Sequence, residues 1–228
     1  MGKKLFITGT GTDVGKTYIT ALIIKKLKES HQNCGYYKAA ISGNKRNSKG
    51  VLCYDDPEYV KKIAQLEQKI DSMVSYVYEK SYSPHLAAML EKKPASFEKI
   101  QKDFYHNLEK YEYLTLEGSG GIICPIRYDE KEKIFLEDII QTFDIPCIIV
   151  ANTGLGTINN TLLTISYMRS KNIKIRGIIF NKYNPANIME TDNIKMIQYI
   201  SGIKILDCIK IEDTNLNINV YELEKLYE

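Results

Sequence analysis

Residues Gly9 to Thr17, GTGTDVGKT, constrain the fold of this chain more than any other stretch. Lys4-Leu5-Phe6-Ile7-Thr8, short and largely apolar, precedes it, and Tyr18 to Ser30 follows with Ile19, Leu22, Ile23 and Leu27 at helical spacing. A strand, a glycine-rich turn and Gly-Lys-Thr at the start of a helix form the context a phosphate-binding loop requires. Glycines let backbone N–H groups converge on phosphate oxygens, and the helix N-terminus adds the positive end of its dipole. In such a loop Lys16 reaches the β- and γ-phosphates and the Thr17 hydroxyl faces Mg²⁺. The usual spacing is G-x-x-x-x-G-K-[ST]; Thr10 stands where its first glycine would be, and the chain reads G-x₅-G-K-T from Gly9. A plain turn explains the glycines but not Lys-Thr at the helix start. The stretch predicts a nucleotide site.

Strands and helices alternate through the rest. Apolar runs predict strands at residues 34–40, 113–117, 146–151, 176–181 and 203–211, with a shorter β-prone piece at 74–78. Helices are expected over 57–66, from Ser83-Pro84-His85 onward, over 97–111, after Asn160, over 186–201 and briefly within 220–228. Residues 44–54 read as a polar loop and Asp129 to Lys133 as an exposed connection. With no linker visible, residues 1–228 read as a single doubly wound, mostly parallel α/β domain of the P-loop type.

Composition excludes several classes of partner. Net charge is only +3, which gives no whole-chain case for nucleic acid or a membrane surface. No apolar run approaches spanning length and the first residues carry no leader pattern. The five cysteines show neither CxxC nor Cys/His ligand spacing. A reduced, cytoplasmic protein without structural zinc is expected.

Several polar residues fall at predicted strand exits, where open parallel sheets bind ligands. Lys38 and Ser42 fall at the C-terminal end of the second strand; alone, Lys38 would be an ordinary solvated lysine. Glu117 ends a strand and points into Gly118-Ser119-Gly120-Gly121, a costly place for a carboxylate unless a cation answers it. In Asp55-Asp56-Pro57, either acid can cap a helix or turn toward a nucleotide-bound Mg²⁺. Gly154 to Asn160 is a second glycine-rich turn before a helix, as readily a capped turn as an anion site.

Taken together, GTGTDVGKT, YKAAISG (37–43), SPH (83–85), LEGSGG (116–121) and GLGTIN (154–159) resemble dethiobiotin synthetases, in the family's order. The resemblance implies ATP as co-substrate, Mg²⁺, and cyclisation of 7,8-diaminopelargonate with CO₂ into a ureido ring. It implies that Thr12, Asp13, Val14, Gly15, Lys16, Thr17 and Tyr18 hold the nucleotide and that Asn181 reads the purine edge. It makes Lys16 and Lys38 the catalytic residues, with Ser42 beside Lys38 at the carbamate end of the substrate. Thr17, Glu117 and Asp55 or Asp56 would hold the metal, and ungapped spacing from Ser42 favours Asp55. Gly156, Thr157, Ile158 and Asn159 would bind the distant carboxylate, in a homodimer whose active sites are shared. Against the family's usual length, the portion after Asn181 looks short. The alternative class is a nucleotide-switched ATPase of the partitioning or metal-cluster-scaffold kind; those carry an extra lysine where this chain has Thr10 and Gly11.

Overall fold

A computed structural model describes residues 2–228. Seven strands form one parallel sheet in the order β3-β2-β4-β1-β7-β8-β9. They are β1 (Lys3–Gly9), β2 (Cys34–Ile41), β3 (Val74–Val77), β4 (Tyr113–Glu117), β7 (Cys147–Asn152), β8 (Ile175–Asn181) and β9 (Ile205–Ile209). Strand β1 is central: Phe6 pairs with Leu116 of β4 on one side and with Cys147 of β7 on the other. Such a strand is covered on both faces, which is why β1 and β7 read as continuous apolar runs rather than alternating ones.

Alternate side chains feed two cores. Leu5 and Ile7 pack with Ile148, Val150 and the inner faces of α1 (Lys16–Glu29) and α2 (Asp55–Ala64). Phe6, Leu116 and Ile149 pack on the other side with α4 (Phe97–Lys110), α5 (Leu136–Thr142) and α6 (Thr157–Ser170), and with α7 (Ile188–Ser201) through Ile197. The helix over 97–110 shows the period most plainly, burying Ile100, Phe104 and Leu108. Phe104 stacks on Phe143 at 4.1 Å between ring centroids. Truncating a buried phenylalanine of this kind costs about 3–5 kcal/mol.

One local feature differs from expectation. The exposed connection at Asp129 is the turn of a two-stranded antiparallel ribbon, β5 (Pro125–Tyr128) with β6 (Lys133–Phe135). Asp129 accepts the N–H groups of Lys131 and Glu132, and Arg127 ties the ribbon to the carbonyl of Ala95. Helix α3 (Pro84–Leu90) begins at proline as expected. The last short helix, α8 (Val220–Glu224), is followed by Tyr227, whose buried hydroxyl meets that of Thr115 at 2.6 Å, and by Glu228, whose backbone bonds that of Lys4.

Candidate active site

Because all seven strands run the same way, their C-terminal ends share one edge, and the residues singled out at strand exits converge there. The phosphate loop leaves β1 at Gly9 and enters α1 at Lys16. Its start is pinned by the Thr10 N–H, which donates to the Val150 carbonyl on β7 at 3.0 Å. Its end is Gly15, the N-cap of α1, at φ 92°, a left-handed conformation that glycine adopts without strain. Lys16 curls back so that Nζ donates to the Gly11 carbonyl at 2.8 Å. Burial, helped by the nearby charge of Lys38, lowers the Lys16 pKa to about 8.

Beyond the loop lies a charge cluster drawn from four elements. The Thr17 hydroxyl on α1 donates to Glu117 Oε1 at 2.7 Å, with Asp56 Oδ1 at 3.1 Å. Lys38 Nζ, from the second half of β2, donates to Glu117 Oε1 at 2.7 Å and to Asp56 Oδ2 at 2.6 Å. Tyr36 completes the shell, its hydroxyl donating to Glu117 Oε2 at 3.0 Å. Burial disfavours the Lys38 charge, but Glu117 and Asp56 outweigh it, so its pKa is raised and it stays an ammonium. Burial pushes Asp56 upward too, yet Lys38 and the Thr17 hydroxyl prevail and its pKa is lowered. Burial holds Tyr36 well above the usual phenol value, with the Glu117 charge adding to it, so the phenol remains a donor.

Lys16, Thr17, Lys38, Asp56 and Glu117 line a cavity of about 490 Å³, together with Thr12, Asp13, Gly15, Ser42 and Lys182, with Tyr36 behind Glu117. A second hollow of about 540 Å³ shares Thr12, Ser42, Ser119 and Gly120 with the first, so the two form one groove. Ser83 and Pro84 of the SPH motif line it; His85 does not, and bonds Ser83 Oγ at 3.0 Å instead. Ser42 faces the groove while its hydroxyl donates to the Tyr82 carbonyl at 2.6 Å.

The structure places several of the expected site residues away from the groove or turns their side chains elsewhere. Asp55, favoured by spacing, is exposed as the first residue of α2, and Asp56 is the acid at the cluster. Successive helical residues point about 100° apart, so only one can face the site. Asn181, expected at the purine edge, lines neither hollow; it donates from Nδ2 to the Val14 carbonyl at 3.0 Å. Tyr18 likewise sends its hydroxyl to the Asp213 carbonyl in the loop after β9, and Val14 is a core side chain that offers only backbone. Thr157 is buried, with its hydroxyl donating to the Asn152 carbonyl at 2.5 Å and its N–H to the Gly154 carbonyl at 3.2 Å. Ile158 packs on the core, while Gly156, at φ 85°, and Asn159 lie open to solvent; this turn lines neither hollow.

Two residues went unnoticed. Tyr36 was read only as part of a strand, and its role depends on its place behind Glu117. Lys182 is exposed beside the cavity at φ 59°, an unusual conformation for a residue with a side chain, and its signal was the charged residue directly after a strand tip.

The family described as an AAA domain matches residues 3–215. Among solved structures, the MinC:MinD cell division complex of Aquifex aeolicus is similar at a TM-score of 0.58 and 18% identity, covering 99% of this chain and 86% of that one. A ParA family ATPase from Chlorobium tepidum follows at 0.55 and 14%, covering 93% and 86%. At such identities these likenesses speak for the P-loop fold alone. Curated relatives say more. The ATP-dependent dethiobiotin synthetase BioD of Brachyspira hyodysenteriae is 49% identical over 229 residues, covering all of both chains. That of Clostridium perfringens is 47% identical, covering 100% of this chain and 98% of the relative, and that of Clostridium botulinum strain Loch Maree is 48% identical, at 100% and 99%. The portion after Asn181 is therefore no shorter than theirs. With loop, lysines and carboxylates at one sheet edge and close to half of all positions shared along the full length, the chain belongs to the ATP-dependent dethiobiotin synthetases.

Proposed function

We propose that this protein closes the ureido ring of dethiobiotin from 7,8-diaminopelargonate, CO₂ and ATP. The observation that carries the reading is the cluster of Lys16, Thr17, Lys38, Asp56 and Glu117 at one sheet edge, in a chain alike from end to end to enzymes of that name. One amine of the substrate takes up CO₂ and loses a proton to give a carbamate. The carbamate oxygen attacks the γ-phosphorus of ATP, releasing ADP. The second amine then attacks the activated carbonyl carbon, expels phosphate and closes the ring.

Phosphoryl transfer of this kind asks the protein for position and charge neutralisation rather than a covalent nucleophile. Lys16 would leave the Gly11 carbonyl for the phosphates. Lys38, kept cationic by its two acids, would face the carbamate with Ser42 and stabilise charge that grows during transfer. The donors at Thr17, Asp56 and Glu117 are all hard oxygens converging within hydrogen-bond distance, a set that suits Mg²⁺. When bound there, the ion would neutralise charge on the β- and γ-phosphates.

The turn at Gly154–Asn159 lies outside the groove of its own chain, which fits a homodimer in which this turn meets the substrate tail held by the partner. Exposed apolar side chains in the turn and on the neighbouring α7 support that reading: Leu155 is 94% exposed and Ile188, at the start of α7, 87%. No helix among the described residues is long and apolar enough to cross a membrane, in keeping with a cytoplasmic enzyme. The deciding assay follows ADP and dethiobiotin together. Both should form only when diamine and bicarbonate are present; equal hydrolysis without the diamine would indicate a switch ATPase.

A further inference from the structure

Glu117 offers its two carboxylate oxygens to different partners. Oε1 accepts the Thr17 hydroxyl and the Lys38 ammonium, each at 2.7 Å. Oε2 accepts the Tyr36 hydroxyl at 3.0 Å, and among the described residues no other donor reaches it. The terminal torsion of a glutamate is broad, so a carboxylate held at one oxygen can still tilt. Held at both oxygens, its plane is fixed.

Strand register explains how Tyr36 comes to be there. It pairs with Thr115, and residues two apart on a strand share a face, so Tyr36 and Lys38 lie on the same side of the sheet as Thr115 and Glu117. Lys38 meets Glu117 directly. Tyr36, one pair further back, reaches it along the diagonal with a fully buried ring, and it lines neither hollow of the groove. A phenylalanine would fill the same space in the core; only the hydroxyl is addressed to Glu117.

The backbone beneath the ring is fixed as well. On one side Tyr36 pairs with β4, but on the other β3 begins only at Val74, opposite Lys38. Gln68 takes the place of the missing strand. Its Oε1 accepts the Tyr36 N–H and its Nε2 donates to the Tyr36 carbonyl, both at 2.9 Å. Gln68 is itself buried, and Nε2 also donates to Asn107 Oδ1 on α4 at 2.9 Å. Tyr36 therefore has no slack with which to follow a carboxylate that moves.

We infer that Tyr36 is a positioning residue for the metal: through Oε2 it sets the tilt of Glu117 and so presents Oε1, beside Thr17, to Mg²⁺. The inference rests on the reading that Glu117 is one of the oxygens that hold the ion. Its consequence is that a side chain outside the groove governs how much the metal adds to nucleotide binding.

The test separates the metal's share of binding from the rest. Affinity for the non-hydrolysable analogue AMP-PNP is measured calorimetrically in Mg²⁺ and in EDTA, and the ratio of the two constants is the gain due to the ion. Tyr36→Phe should leave the EDTA constant within about twofold of wild type and cut the gain by about tenfold, the lower end of the range for altering a partner of a metal ligand. In turnover, the Mg²⁺ concentration for half-maximal rate should rise by a similar factor, while kcat at saturating Mg²⁺ and the diamine KM stay near wild type. A general structural defect would lower kcat at every Mg²⁺ concentration.

Glu117→Gln is the reference. It should remove most of the gain, and Tyr36→Phe added to it should remove no more, because the hydroxyl acts only through the carboxylate. Should Tyr36→Phe alone not fold, the double variant is read against Glu117→Gln, since the amide leaves no buried charge short of a donor. A gain that is unchanged in Tyr36→Phe but lost in Glu117→Gln overturns the inference. So does a further loss in the double variant, which would give Tyr36 a route other than Glu117. A gain that survives Glu117→Gln sinks the metal reading first, and the inference with it.

Discussion

Lys38, within β2, and Glu117, at the end of the neighbouring β4, form an ion pair 2.7 Å long, with side chains 5% and 0% exposed. They follow Tyr37 and Leu116, which are paired in the register of β2 and β4. Both side chains are largely withdrawn from water. Lys38 has a second acid in Asp56, but Glu117 has no other cation in contact among the described residues, so removing Lys38 leaves the Glu117 charge buried without a cation beside it. The same geometry that serves catalysis is therefore a structural commitment.

Lys38→Met should separate these roles. Turnover should fall by about 10²–10³, the scale of losing one charge-stabilising donor. ATP affinity should change little, and stability should drop by about 3 kcal/mol because Glu117 is stranded. Adding Glu117→Gln should return most of the stability and none of the activity. Urea unfolding and steady-state kinetics on the single and double variants check this; stability losses that simply add would mean the pair is not coupled.

The two neighbouring aspartates should behave differently. Asp56→Asn should shift the Mg²⁺ titration of activity by tenfold or more, on the order of the effects seen for altered metal ligation. Asp55→Asn should leave it unchanged. A shift with Asp55→Asn instead would mean that α2 begins one residue out of the phase described here.

Lys182 is the exposed cation beside the cavity, whereas Lys16 and Lys38 are each already engaged by the protein. Lys182→Gln should raise the KM for ATP about threefold, the effect of one solvent-screened charge. The difference from wild type should shrink as salt is raised. A difference that persists at high salt would point to a shape role for the left-handed backbone rather than to charge.

How much of this could be read from residues alone depended on how local each determinant is. Lys16 and Thr17 were legible because the loop, its strand and its helix are contiguous. Glu117 was legible because a carboxylate at a strand tip demands a cation. The choice between Asp55 and Asp56 was not, since it turns on where α2 starts, and Tyr54 rather than an aspartate takes the N-cap position. The direction of Asn181 is set by the absent Cβ of Gly15, far away in sequence. The ribbon β5–β6 has strands of four and three residues, too short to show a period. Thr157 looked free because nothing in the motif shows that Asn152 offers its carbonyl.

Shared active sites predict complementation. Lys16→Ala chains and chains with Asn159→Asp, each nearly inactive, should regain activity when mixed under conditions that let subunits exchange. Random pairing gives about half the dimers one intact site, hence roughly a quarter of wild-type activity. Mixtures that stay inactive although exchange is shown by labelled subunits would mean that each site belongs to one chain.

Alkali should destabilise the fold early. Burial raises the thiols of Cys34 to about 12 and of Cys124 and Cys208 to about 11, from an ordinary 9.0. Above about pH 9 the unfolded chain has released protons that the native chain retains, so native binds more and stability falls with rising pH. Tyr36, Tyr37 and Tyr227, raised by burial, extend the loss above about pH 10. Lys16 works the other way, being neutral above about 8 when folded and charged when unfolded, but it is one group against several. Urea midpoints measured from about pH 9 to about pH 10.5 should decline throughout. A flat profile would show that these thiols and phenols are hydrated in the native state.

The place of β4 bears on how the protein is made. It lies between β1 and β2 in the sheet, although it is the fourth of them to leave the ribosome. A nascent chain ending at Lys110 already holds Lys16, Lys38 and Asp56, but the slot between its first two strands is open and the carboxylate that joins the cluster is missing. Nucleotide cannot rescue such a fragment, because the site it would bind is completed by the strand still to come. Insertion of β4 thus closes the gap between β1 and β2 and finishes the cluster in one event, while β7, β8 and β9 have still to cover the other side of β1, so a product truncated before β4 has neither a complete sheet nor a complete site.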